Sequence, residues 1–486
     1  MDLPDLGVGF VYLPGLESLS ETISRSLDVV EVEPQTFWTH SPPPDGGGVS
    51  SFRVNRDRLE RPLAMGRPVL VHSIGYPVGG SRDGDPRHRA ALKETFSILK
   101  PAWWSEHMSF LAAHDSRGPR HIGFLMPPVQ SAESARVIAE RIRRLQDEFG
   151  LPFAFETGVN YLRPIPGELS DGDFWAEIAE RANCGILLDL HNVWTNAVNG
   201  RQGLAAVADR LPLERVWEIH VAGGQWHKGY WLDSHSGLPP EPVIEAAAAL
   251  VPRLPALHAI LLEIIPDQID ARNITEEEIA LCLARLRAIW ATRGSALSGG
   301  SARGPRPAAA ADLPSMEAWE HGLDAALRGE EAGASRLVAQ DPGLDIFSDL
   351  IAMARRGTLV EALPLSMRYL RRGLGGGGLD TLFGRFWRRA PPEPFMSDEA
   401  RRFSGFVRSE VSLPHLDEVI DFELAAHRAA MTGAPQYVAF SCAPEPLLMA
   451  LKHGDPLEIV PCDVEVEVTP PAGKMVPRDG IEPPTP

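Results

Sequence analysis

The sequence predicts an α/β fold, a (β/α)8 TIM barrel, followed by a mainly α-helical second domain, and three observations carry that prediction. Eight short apolar runs alternate with helical stretches through the first 293 residues. Composition then changes abruptly after Thr292, and amphipathic helical patterning dominates beyond the change. Runs of this length between helix signals are strands that must be buried on both faces, and eight of them in alternation close into a barrel.

The runs span residues 6–12, 29–33, 68–73, 103–110, 153–157, 185–192, 216–222 and 258–264. Between them, Ile138, Ile142, Leu145 and Phe149 fall on one helical face, and Gly150 followed by Pro152 stops that helix. Thr275 with Glu278 three residues later forms a capping box for a helix running to Trp290. The segment RGSALSGGSARGPRPAAAAD has almost nothing to bury, so 294–312 is expected to be a flexible linker between a barrel over 1–293 and a helical domain over 313–469. In that domain Met316, Trp319, Leu323, Ala326 and Leu327 share a helical face. Residues 470–486, rich in proline and polar side chains, read as a disordered tail.

Composition removes several function classes. A formal charge of -18 argues against nucleic acid as the main partner, since phosphate binding needs a basic surface. No apolar run approaches the roughly 20 residues of a membrane span, and the start MDLPDLGVGF has no basic leader, so neither membrane nor secretion is expected. Cys184, Cys282, Cys442 and Cys462 lie far apart without CxxC spacing, which fits a reducing cytoplasm better than a disulfide framework or a zinc knuckle.

The chemistry gathers where the apolar runs end. His72, Glu106-His107, Glu156, Asp189-Leu-His191, Glu218-Ile-His220, Asp233-Ser-His235 and Glu263 each stand at or just beyond such an end. A parallel barrel collects strand ends at one mouth, and converging imidazoles and carboxylates are what a cluster of first-row metals needs. Residues two apart on a strand share a face, so Asp189 with His191, and Glu218 with His220, are expected to point the same way. An acid such as Asp189 within GILLDLHN, Glu156 within PFAFETG or Glu263 within AILLEIIP is costly to bury without a partner, which a metal, a salt bridge or the backbone can supply. His258 and His427 stand alone and read as structural. GGGG at 375–378 lacks the lysine of a phosphate loop and reads as a flexible connection, and RFWRR at 385–389 as a solvated basic face. Trp103 and Trp104 read as barrel packing.

The segments LVHSIGYPVGG, WWSEHMSFL, FLMPPVQ, FAFETGVNYL, NCGILLDLHNVWTNA, EIHVAGG, LDSHSG and LLEIIPDQI resemble, in order, the multinuclear iron oxidase family that includes MbnB and TglH. The resemblance implies two or three iron ions, of mixed Fe(II)/Fe(III) state, and dioxygen as co-substrate for modifying cysteine in a ribosomally made precursor peptide. It implies His72, His107, Glu156, Asp189, His191, His220, Asp233, His235 and Glu263 as metal ligands, with Glu156, His220 and Asp233 closest to the catalysis. Glu106, Asn160, Asn192 and Glu218 are implied as the groups that orient them. Three positions depart from the family pattern: Gln35 stands where a PEN-like acid is usual, Glu156 to Tyr161 reads ETGVNY for ENxxxY, and His191 stands where many relatives carry asparagine. The segments LPLSMRYLRRGLGG, FGRFWRRAPPEPFMSDEARRFSGFV and LPHLDEVIDFELAAHRAA resemble the helical partner subunits of MbnC type, so a peptide-presenting partner is expected here fused in cis. Two other readings of the same donors are a divalent-metal barrel hydrolase or isomerase of endonuclease IV or sugar isomerase type, and a peptide-binding metalloprotein without catalysis.

Overall fold

The computed structural model describes residues 3–16, 21–41, 51–115, 118–296 and 312–470. Eight parallel strands close into a barrel: β1 (Gly7–Tyr12), β2 (Val29–Val32), β3 (Val69–Ser73), β4 (Trp104–His107), β5 (Phe153–Glu156), β6 (Gly185–Asp189), β7 (Val216–Ala222) and β8 (Ala259–Glu263). Each strand pairs with its neighbours in sequence, and β8 closes on β1 with Gly7 opposite Ala259. Helices such as Ala132–Phe149 and Glu276–Trp290 cover the outside. The first ends on Gly150 in the left-handed conformation, and the second starts on the Thr275–Glu278 capping box, both as the residues dictate.

All eight strands coincide with the apolar runs, and two of them end three residues before their runs do. Run 185–192 stops as a strand at Asp189 because its carboxylate Oδ1 accepts the backbone N–H of Asn192 at 2.8 Å and caps a helix, Leu190–Val198. Run 103–110 breaks after His107, and Phe110–Asp115 turns away to pair antiparallel with Gly118–Met126. Trp103 and Trp104 are fully buried.

The C-terminal region contains the helices Met316–Leu327, Pro342–Ala362, Pro364–Arg389, Met396–Glu410 and Leu416–Thr432. An antiparallel strand pair, Gln436–Cys442 with Pro461–Val468, closes it around the helix Pro444–His453. One reading needs correction. The GGGG segment lies inside the long Pro364–Arg389 helical stretch, which it kinks at Gly375 (φ 68°, ψ 171°), rather than forming a loose connection. The basic cluster RFWRR is exposed at Arg388 and Arg389, as a solvated face requires, and Arg385 and Arg389 also reach Glu410 on the next helix. Of the expected linker only 294–296 and 312 are described, and of the expected tail only Pro470; the rest lies outside the described residues.

The helical region packs on the loops that follow the barrel strands. Phe110, Ile122, Met126, Tyr161 and Leu232 from those loops share one core with Trp319, Leu323, Phe347 and Leu350. The Trp319 indole donates to the carbonyl of Pro127 at 2.9 Å, Arg120 pairs with Asp324 at 2.9 Å, and Asp349 receives His227 at 2.8 Å and Lys228 at 2.6 Å. Gly343 sits so close to Tyr161 that a Cβ would lie 2.1 Å from its carbonyl oxygen. Among the described residues no helix is long and apolar enough to cross a membrane.

Candidate metal centre

Parallel strands that end together at one rim bring their last side chains to a common mouth, and here the acids and imidazoles meet in two linked groups. His72 at the end of β3, His107 at the end of β4 and Glu156 at the end of β5 form the first. Glu156 Oε2 lies 2.5 Å from His107 Nδ1 and 3.3 Å from His72 Nε2, and the two Nε2 atoms face each other at 3.1 Å. One N–H can join the two Nε2 atoms while His107 Nδ1–H serves Glu156, and a metal in their midst would use the same nitrogens and the same carboxylate oxygen as donors. Ser105 Oγ holds His72 Nδ1 at 2.8 Å, which fixes the ring with Nε2 inward.

His220 near the end of β7 anchors the second group. Its Nε2 lies 2.8 Å from Glu31 Oε2, and its Nδ1 lies 3.4 Å from Glu263 Oε2 on β8. Glu263 continues to His235 Nδ1 at 3.2 Å, and His235 Nε2 meets Asp233 Oδ1 at 3.1 Å. Glu156 and Asp189 stand near enough to His220 that one ligand atom from each falls within 4.8 Å of the others, so the two groups form one site.

Most of the site's donors are buried, and several lack an aligned partner. Both oxygens of Glu31, Oδ2 of Asp189, Oε1 of Glu218 and both ring nitrogens of His220 are buried without an aligned hydrogen bond. Buried charges without partners are among the most costly features of a fold, so a donor set left this way fits a bound cation. Protonation responds accordingly. Burial, aided by the charge of Glu218, pushes Glu31 up to about 8. Burial, then Glu156 and Asp233, push Asp189 well above the carboxylate range. Burial works against a charge on His220 and His235, but Glu31 beside the first and Asp233 beside the second hold both well above the imidazole range. Glu156 is buried too, yet His107 overcomes this and holds it well below the usual range.

Of the residues expected as ligands, His72, His107, Glu156, Asp189, His220, Asp233, His235 and Glu263 are brought together. His191 departs from expectation. Because β6 ends at Asp189, His191 lies in the first turn of the following helix, and strand alternation does not relate the two. The Trp231 indole donates to His191 Nε2 at 2.9 Å, and His191 Nδ1 lies 3.1 Å from Asp233 Oδ1. An indole N–H only donates, so Nε2 is the accepting nitrogen, Nδ1 carries the proton, and no lone pair is left for a metal.

The orienting residues divide. Asn192 donates to Glu156 Oε1 at 3.1 Å, and Glu218, held by the Trp103 indole at 2.8 Å, lies 3.8 Å from His220. Glu106 instead accepts the backbone N–H groups of Tyr76 and His107, and burial pushes it up to about 8. Asn160 accepts the Leu162 N–H in its own loop, and its backbone N–H donates to Asn196 on the Leu190–Val198 helix. Glu31 was not expected. Its signal is an acid inside VVEV, where every neighbour is buried, and that signal is weaker than a strand-end acid because the strand runs on past it. Gln35, at the position of the family's acid, is taken up by Ser73 Oγ at 2.8 Å, His88 at 2.9 Å and the Ile74 N–H at 3.1 Å. His258 pairs with Asp5 and His427 with the Ala362 carbonyl, both structural.

Above the donors opens a cleft whose floor includes His107, Asp233, His235 and Glu263. Its walls are mostly apolar, with Leu13, Ile74, Met108, Phe124, Met126 and Ile265 among them.

Comparison with known proteins gives a consistent picture. The model of the family described as RiPP precursor modification enzyme MbnB/TglH/ChrH matches residues 49–281. A UPF0276 protein of Bordetella bronchiseptica is 32% identical over 228 residues, covering 45% of this chain and 76% of the relative. One of an Anaeromyxobacter species is 32% identical over 194 residues, covering 40% of this chain and 67% of the relative. Solved structures are more distant. The IOLI protein with a bound zinc atom has a TM-score of 0.37 at 11% identity, covering 60% of this chain and 99% of that one. The D-allulose 3-epimerase of a Methylomonas species has a TM-score of 0.36 at 13% identity, covering 60% of this chain and 98% of that one.

Proposed function

Because the chain belongs to the MbnB/TglH/ChrH family of RiPP precursor modification enzymes, we propose that it modifies cysteine in a ribosomally made precursor peptide oxidatively, using iron and dioxygen. The observation that carries this reading is the mouth of buried, partner-short acids and imidazoles beneath an open apolar cleft. Two or three ions are the proposed complement. His72, His107 and Glu156 are the donors for one, Glu156, Asp189 and His220 for a second, and Asp233, His235 and Glu263 for a third. Iron in these places would supply electrons for dioxygen and a Lewis-acidic seat for a cysteine thiolate.

The chain's own residues do the rest. His235 lies between Asp233 Oδ1 and Glu263 Oε1, so it must give up a ring proton before one of its nitrogens can serve as a donor. Glu156, shared by two donor groups, sets the spacing between them, and Asn192 keeps its Oε1 turned. The apolar walls Leu13, Ile74, Met108 and Ile265 keep bulk water from the reacting side chain. The cleft floor carries the acids Asp233 and Glu263, which suits a neutral thiol-bearing segment that loses its proton on arrival. We assign the C-terminal helical region to presentation of the peptide, as a partner joined in cis and packed on the loops around the cleft. All four cysteines are free thiols, in keeping with a reducing cytoplasm.

The test is direct. Protein loaded anaerobically with ferrous iron, mixed with cysteine-bearing peptides encoded beside its gene and exposed to air, should change a peptide mass and consume oxygen. Unchanged masses across such peptides would overturn the assignment, and metal analysis favouring zinc or manganese would redirect it to hydrolysis or isomerisation. Oxygen-independent tight binding without a mass change would mark a carrier.

A further inference from the structure

We infer that Trp231 and His191 form a positioning relay for Asp233, with His191 fixed as a single tautomer that aims the carboxylate at the metal site. The inference rests on the metal reading above. Asp233 is delivered by the short strand Tyr230–Asp233, outside the barrel, so the sheet that fixes the other donors does not fix it. Three hydrogen bonds replace that support. His191 Nδ1–H donates to Asp233 Oδ1 at 3.1 Å, the Trp231 indole donates to His191 Nε2 at 2.9 Å, and the Asp233 backbone N–H donates to the Tyr161 hydroxyl at 3.0 Å.

Each part of the relay is itself held. His191 is fully buried in the first turn of the Leu190–Val198 helix. Asn199, which caps the far end of that helix, donates to the Trp231 backbone carbonyl at 2.8 Å and accepts the Trp231 backbone N–H at 2.9 Å, so the helix is tied to the strand that carries the indole. Gly224, opposite Asp233 in the antiparallel pair, leaves the space the indole needs: a Cβ there would lie 2.5 Å from Trp231 Nε1. The Trp194 ring packs edge-on against Trp231 at 5.1 Å. A donor-only group on one imidazole nitrogen dictates that the other carries the proton, and that proton is what an anionic carboxylate accepts.

The relay separates from a ligand role by substitution. H191N replaces the Nδ1–H donor with an amide N–H at a similar distance from the backbone, H191L removes it, and W231F releases the tautomer. Ferrous iron affinity is measured anaerobically by chelator competition, with the number of bound irons from Mössbauer spectra and thermal midpoints to confirm folding. The relay predicts H191N within about threefold of the parent, H191L weaker by roughly 10–100-fold, and W231F clearly weakened in between, all retaining the parent's iron sites at saturating metal. H191N falling as far as H191L, or W231F keeping the parent's affinity, would overturn it. A parent that binds no iron would instead remove the metal reading itself, and peptide turnover does not enter either readout.

Discussion

The helical region buttresses the mouth of the barrel through one side chain whose removal has a calculable effect. Phe347, fully buried, packs edge-on against Tyr161 at 5.3 Å and against Phe124 at 6.2 Å. Tyr161 accepts the backbone N–H of Asp233, so the packing leads to a proposed metal donor in two contacts. F347A deletes a ring with no room to collapse, costing about 3–5 kcal/mol, of which the two aromatic contacts account for roughly 0.5–1.5 kcal/mol each. The control is F383A, an equally buried ring in the separate core of the helical region. Urea unfolding should show a loss of about 3–5 kcal/mol in both variants. Only F347A should also weaken iron binding, by several-fold, because only it loosens Tyr161. A loss below about 1 kcal/mol in F347A, or equal iron affinities in the two variants, would refute the coupling.

Three further outcomes follow from the geometry. E156Q replaces the carboxylate shared by two donor groups with a neutral carboxamide and should lower the iron count by at least one, read by metal analysis after desalting, while its fold is kept. G343A places a methyl group against the Tyr161 carbonyl and should cost about 1–3 kcal/mol in urea unfolding, whereas G405A, at an exposed helical position with open space around it, should cost nothing. In chelator-treated protein, Glu31 and Glu106 are both raised to about 8 by burial, so the folded state keeps protons that the unfolded chain releases above about 4.5. Stability from these two groups is therefore complete below pH 4.5 and is lost as pH rises towards 8, at up to about 1.4 kcal/mol per pH unit for each group. Urea midpoints at pH 5.5 and 7.5 should show the slope in the parent, a shallower one in E31Q, and least in iron-loaded protein.

The barrel was legible because its signals are local. A strand buried on both faces must be apolar throughout, and GILLD and AILLE announce themselves on that ground alone. The donors were legible for a related reason: an acid or imidazole closing such a run is costly unless a partner waits at the rim. Glu31 escaped because it stands inside its run, and inward orientation there depends on the tilt and register of β2 between β1 and β3, which no stretch of sequence states. The strand pair 436–442 and 461–468 escaped because the second strand is almost wholly exposed and its alternating Glu and Val carry no strong apolar signal. The glycine run was read as a loose connection because four consecutive glycines have poor helix propensity, yet only Gly375 leaves the helical region, and the turns on either side, packed through Leu370, Leu382 and Phe383, bring two helices to meet at that one residue.

His191 shows where sequence reading stops for a physical reason. The spacing Asp-Leu-His gives a shared face only while the chain stays extended, and the same carboxylate that would be a ligand ended the strand by capping the next helix. That one hydrogen bond rotates His191 out of the strand's alternation and hands its nitrogens to Trp231 and Asp233, which stand about 40 residues further along. A residue's chemistry at such a site is set by which lone pair remains after its neighbours are satisfied. Neighbours brought by a separate hairpin leave no trace in the local sequence, so the type of side chain identifies a candidate donor while the hydrogen-bond inventory decides whether it can serve as one.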